Sequence, residues 1–300
     1  MEPRLTAILQ GLFVVFLWAT SWVFIKIGLQ DIPPITFAGL RYLLASVCLL
    51  LFLQFNKSKY SLRGIPKHKW GQLALLGFLF YAVTQGGSFV ALFYLPAVTV
   101  NLIWNFSSVI VALLGIVWLS EKPTLFQWIG ITLAMLGAVI YFVPVTIPGS
   151  QIAGLLVSIL GIGANAVSSI IGRDINRTKE YHPLVITVVS MVIGAVLLLA
   201  AGLITEGFPN IRLQGWGIIF WLAIVNTAFA FTLWNKTLQT LSAVESSIIN
   251  NTMLIWIPIF AVLFLGETIT TKEVIGLVIA GIGTLLVQLR QFPKKKISSP

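Results

Sequence analysis

Cysteine and histidine are nearly missing from this chain of 300 residues, which holds one of the former and two of the latter. A single cysteine, Cys48, excludes an internal disulfide. His68 and His182 both fall in short links, no carboxylate cluster occurs, and neither HExxH nor CxxC is present. No metal or cofactor is therefore expected, and catalysis has little to work with. The stretch QGGSFV sets a serine beside two glycines but lacks the GxSxG pattern. Charge is scarce as well: 9% of residues are charged, against about 25% in ordinary soluble domains. No link can hold a soluble output domain, which disfavours a non-transporting sensor or scaffold. A TVGYG-type filter and a ring of like charges are absent too, which disfavours a channel.

What is abundant is apolar sequence: 58% of residues are hydrophobic and the mean hydropathy is +0.97. A water-soluble globule of this size could not bury that much apolar surface, so the expected solvent is lipid. About 20 apolar residues span a hydrocarbon core. On that length the chain divides into ten spans near 6–29, 35–55, 70–93, 98–119, 125–143, 152–172, 183–204, 215–237, 243–265 and 272–290. The breaks carry turn chemistry, as at Asp31-Ile-Pro-Pro and His182-Pro183. The first apolar run lacks a cleavage site and continues to Lys26, so it reads as a retained span rather than a signal peptide. With the N-terminus inside, 15 of the 19 Lys and Arg residues lie on the inner side. This bias predicts cytoplasmic termini in a multi-pass inner-membrane protein, and it accounts for the net charge of +10 without nucleic acid. The basic tail, 292–300, reads as an inner anchor against anionic lipid.

A shift of 146 residues lays the second half over the first without a gap. Leu119, Glu121, Gly130, Ala134 and Gly137 fall on Leu265, Glu267, Gly276, Ala280 and Gly283, and Asn105 falls on Asn251. The repeats read as 1–147 and 148–291, with five spans each. Five is odd, so the second repeat enters the membrane from the opposite face. The expected fold is an all-α membrane protein with an inverted 5+5 repeat, an architecture of secondary transporters whose site lies near the midplane between the repeats.

The stretch FLWATSWVFIKIGLQDIPPITFAGLRYLLAS, with WLSEKPTLFQWIGITLAMLGAVI and FLGETITTKEVIGLVIAGIGTLLV once per repeat, resembles EamA-type members of the drug/metabolite transporter superfamily. The resemblance covers essentially the whole chain. It implies export of small metabolites or drugs and leaves the substrate open. Amino acids and related metabolites, amphiphilic drugs and nucleobases all remain candidates.

Polar side chains at membrane depth face a bundle interior or a water-filled cavity. At helical spacing, Asn101, Trp104, Asn105 and Ser108 share a face of span 4, and Ser247, Asn250 and Asn251 share one in span 9. Tyr81, Thr84, Gln85 and Ser88 do so in span 3, Asn165, Ser168 and Ser169 in span 6, and Trp18, Trp22 and Lys26 in span 1. Span 8 offers Asn226, Thr227 and Asn235. The expected substrate cavity therefore draws on Trp18, Trp22, Tyr81, Gln85, Asn101, Trp104, Asn105, Asn165, Asn226, Asn250 and Asn251. Spans 1 to 4 and 6 to 9 are expected to line it. Spans 5 and 10 brace the halves, or two copies of the chain, through their small residues, so monomer and homodimer both stay open. Three charges lie inside the apolar runs. Lys26 and Arg41 flank the outer turn and could snorkel, meet Asp31 or meet a substrate carboxylate; Glu245 is the candidate proton-coupling group. Glu121 and Glu267 read as favourable charges at the starts of spans 5 and 10.

Overall fold

The computed structural model describes residues 3–56, 66–119, 124–143, 148–177, 181–241 and 243–288. Among these, ten helices are long and apolar enough to cross a membrane: spans 1 to 10 are Arg4–Gly28, Pro34–Phe55, Lys69–Tyr94, Ala97–Leu114, Leu125–Phe142, Gly149–Gly172, Pro183–Thr205, Leu213–Thr237, Ile248–Leu265 and Thr271–Gln288. Glu121 and the basic tail lie outside the described residues. Span 1 starts and span 10 ends on the same face, the N-terminal face; the opposite one is the far face.

Local chemistry fixes the helix starts. Pro34 and Pro183 occupy the first turns of spans 2 and 7, where proline's missing N–H costs nothing. Spans 5 and 10 both begin with reciprocal caps. Gln127 N–H donates to Thr124 Oγ1 at 3.4 Å and Thr124 N–H to Gln127 Oε1 at 3.0 Å. At the matched positions, Glu273 N–H donates to Thr270 Oγ1 at 3.3 Å and Thr270 N–H to Glu273 Oε2 at 2.7 Å. Such boxes satisfy backbone donors that the first turn leaves free. The outward faces are apolar, for example Leu9 and Phe13 on span 1 and Leu156 and Leu160 on span 6, as lipid contact requires.

The packing repeats itself under exchange of span n with span n+5. Span 2 packs on span 7 and span 5 on span 10; span 1 packs on spans 8 and 9 as span 6 packs on spans 3 and 4. The inverted repeat thus places an axis in the membrane plane. Small residues set the span 5–10 contact within one chain. A Cβ on Gly130 would lie 2.7 Å from the Gly283 carbonyl oxygen, and one on Gly276 would lie 2.7 Å from that of Gly137.

Four spans are not the plain α-helices that hydropathy suggests. Span 4 breaks at Phe106, between Ala97–Asn105 and Ser107–Leu119. Span 9 breaks at Thr252, between Ala243–Asn251 and Met253–Leu265. The two breaks differ by the repeat shift of 146 residues. Side chains that bond back onto helix carbonyls favour such bends: Asn105 Nδ2 donates to Asn101 O at 3.2 Å and Thr252 Oγ1 to Ile249 O at 2.7 Å. Spans 3 and 8 widen into π-helical turns over Gly77–Gln85 and Ile224–Phe229, again at matched positions. Thr84 and Thr227 each donate to the carbonyl five residues back, Leu79 and Leu222, at 2.8 Å.

Candidate functional site

A cavity of about 1210 Å³ lies between the repeats. The broken span 4 supplies Asn101, Trp104 and Asn105 to its wall, and the broken span 9 supplies Asn250 and Asn251. Irregular helix at membrane depth is tolerated where it lines such a space. Trp18 and Trp22 come from span 1, Gln85 from span 3 and Asn165 from span 6. Asn165 Nδ2 donates to Ser107 Oγ at 2.7 Å, tying span 6 to span 4. Asn251 Nδ2 donates to Gln288 Oε1 at 2.9 Å, tying span 9 to span 10. The remaining wall mixes aromatic side chains such as Phe80, Phe231 and Trp234 with serines and aliphatic residues.

Several expectations need correction. Tyr81 and Asn226 do not reach the cavity. Both lie inside the π-helical turns, where the 3.6-residue period that aligned Tyr81 with Thr84, Gln85 and Ser88 no longer holds. Tyr81 is buried against Tyr42 and Phe80. Asn226 donates to the Leu17 carbonyl and, at 3.1 Å, to Thr20 Oγ1, so it serves as a link between spans 8 and 1. Span 7 contributes nothing to the wall, being packed on spans 2 and 3, whereas the bracing spans add Gln127, Val287 and Gln288. The amides at the ends of spans 5 and 10 were the available signal for these. Glu245 stands apart from the cavity and accepts from Arg4 Nε at 2.9 Å at the N-terminal face. Lys26 lies off the wall, within Coulombic range of Glu267. Arg41 does line the cavity and is 5% exposed, so it does not snorkel. Asp31 faces Arg212 instead, at 3.7 Å.

The cavity opens at the N-terminal face. Leu238 and Asn250, both exposed, belong to its wall at the N-terminal face. Toward the far face it ends against large buried side chains, including Leu29, Ile32, Phe37 and Leu95. Two carboxylates of the second repeat close this end by capping helices of the first. Glu206 accepts from the backbone N–H groups of Ile35 and Thr36, at 3.1 and 2.7 Å. Glu267 accepts from those of Ala97 and Val98, at 2.6 and 3.1 Å. Charged acceptors at a helix start satisfy free donors and the positive dipole end together. Glu267 therefore caps span 4, not its own span 10, where Glu273 does that work.

Comparison with known proteins agrees with this arrangement. The model of the EamA-like transporter family matches twice, at residues 5–143 and 151–289. An uncharacterized transporter of Bacillus subtilis (strain 168), YoaV, is 27% identical, with 95% of this chain and 97% of that protein aligned. A probable amino-acid metabolite efflux pump of Salmonella typhimurium is 26% identical over 91% and 92% of the two chains. The uncharacterized inner membrane transporter YedA of Escherichia coli (strain K12) is 25% identical over 99% and 96%. A crystal structure 16% identical in sequence superposes with a TM-score of 0.67 over 95% of this chain and 98% of that one, a likeness of fold alone. Two family matches that together cover nearly the whole chain, on ten spans built as an inverted repeat, place this protein in the EamA-like transporter family.

Proposed function

We propose that the protein is a secondary carrier that exports a small organic metabolite, an amino acid or related compound, across the cytoplasmic membrane by alternating access. The observation that carries this reading is the cavity of about 1210 Å³ between inverted repeats, walled by both, open at the N-terminal face and capped at the opposite end. Broken helices at matched positions allow the two ends to trade roles as the repeats rock. The excess of Lys and Arg in the links on the N-terminal side makes that face cytoplasmic. The cavity then faces the cytoplasm, the loading state of an exporter. The names of the relatives from Salmonella and Escherichia coli support amino-acid metabolites and the inner membrane. The wall, which combines aromatic side chains with amides and serines, suits an organic molecule with an apolar part and a polar head.

Counterflow in proteoliposomes tests this. A carrier gives saturable uptake of labelled substrate that accelerates when unlabelled substrate is loaded on the other side. Uptake linear in concentration and indifferent to the opposite side would indicate a pore and overturn the reading.

A further inference from the structure

The described residues of the cavity wall carry one charge and no counter-charge. Among them, Arg41 is the sole ionisable cation and no Asp or Glu is present. Arg41 is the eighth residue of span 2, Pro34–Phe55, so it lies roughly 10 Å into the membrane from the far-face end. A charge at that depth is costly unless it is paired.

The surroundings orient Arg41 without neutralising it. Its Nε donates to Thr227 Oγ1 at 3.1 Å, and Thr227 is itself fixed by its bond to Leu222 O. The guanidinium lies 5.2 Å from the Tyr42 ring centroid and 5.8 Å from that of Phe89. Asp31, the nearest acid in sequence, faces Arg212. The two terminal nitrogens have no acceptor among the described residues, and they form the planar fork that matches a carboxylate. A second observation points the same way. Asn101 Nδ2 and Trp104 Nε1, both from residues of the cavity wall, are buried donors with no acceptor among the described residues. Three unmatched donor groups and no acid favour a ligand rich in acceptors and negative in charge.

We propose that Arg41 binds a free carboxylate of the transported molecule, so that the carrier takes organic acids and amino acids and rejects amphiphilic cations. The proposal rests on the carrier reading above and narrows its substrate class. The orientation sets the pose as well: the carboxylate sits at the closed end, and the apolar part lies among Trp18, Phe231 and Trp234 toward the mouth.

The test uses charge-matched probes on two carbon frames: phenylalanine, 3-phenylpropionate and phenethylamine; leucine, 4-methylpentanoate and 3-methylbutylamine. Protein-dependent uptake of each radiolabelled compound is measured in proteoliposomes. On at least one frame the carboxylates should exceed the amine by about tenfold or more, the scale of a charge-assisted hydrogen bond. Arg41→Gln should erase that preference, and Arg41→Lys should keep its sign at a lower rate. Amines carried as well as carboxylates, or a preference untouched by Arg41→Gln, would overturn the assignment while leaving the carrier reading intact. Should Arg41→Gln not fold, the wild-type series and Arg41→Lys decide. No protein-dependent uptake of any probe, in a sample that remains monodisperse, would overturn both.

Discussion

The two ends of the bundle are built from the same repeated sequence yet stand in opposite states. At the far face, Glu206 and Glu267 from the second repeat each hold two backbone N–H groups of the first. Behind them sits a plug of fully buried apolar side chains such as Phe37 and Phe89, whose rings meet edge to face at 5.1 Å. At the N-terminal face the cavity wall runs out to exposed Leu238 and Asn250, and the Arg4–Glu245 pair joins spans 1 and 9 beside the mouth. Matched sequences in unmatched states are what a rocking inverted repeat requires. The closed end is held by specific bonds, and the alternating access proposed above would exchange them.

The sharpest way to break the asymmetry is to remove both far-face caps. Charge-assisted bonds of this kind contribute about 1.5–3 kcal/mol each, and reversing a 99:1 population takes about 5.5 kcal/mol. The double variant Glu206→Ala/Glu267→Ala should therefore expose the cavity to the far face and cut substrate flux by about tenfold or more, as measured by initial uptake rates. Next come the matched amides. Asn105→Leu and Asn251→Leu should each lower flux by roughly tenfold with a melting temperature close to wild type, since a lipid-compatible side chain replaces a cavity amide. Equal flux in both would remove these residues from the site. Gln288→Leu removes the acceptor of Asn251 and should slow flux by about two- to fivefold, near 1 kcal/mol; counterflow rates on the same preparation read it. The smallest effect belongs to the N-terminal face. Arg4→Ala breaks an ion pair whose arginine is 70% exposed, a pair worth about 1 kcal/mol or less, so flux should stay within about twofold. Because Glu245 stands outside the cavity, Glu245→Gln should leave the pH profile of transport unchanged; a flattened profile would restore it as a coupling group.

Much of this architecture is legible in the sequence because the membrane makes hydropathy decisive. Lipid allows few backbone solutions, so apolar length alone marks each span. The register of Asn105 on Asn251 then points at a shared interior. What hydropathy cannot register is backbone phase. Tyr81 joins the polar face of span 3 only if the helix keeps its period, and the π-helical turns of spans 3 and 8 leave Tyr81 and Asn226 in packing contacts instead. Glu267 misleads for another reason. A carboxylate shortly before a span reads as that span's own cap, while its partner here lies about 170 residues away, at Ala97 and Val98. Arg41 reads as a residue near a span end; only the packing of spans 2, 3 and 8 around it shows that it points inward. Gln288 gives no such periodic signal, because the small residues of span 10 describe its packing face and one amide at its end carries no period.

Side-selective labelling tests the central claim of a single cavity open to one face at a time. In a Cys48→Ser background, Ser108→Cys puts one thiol on the cavity wall of span 4. A membrane-impermeant thiol reagent should reach it from the N-terminal face alone, and from the far face once Glu206 and Glu267 are replaced by alanine. Equal reaction from both faces in the otherwise unaltered protein, or no change of side without the two carboxylates, would contradict that claim.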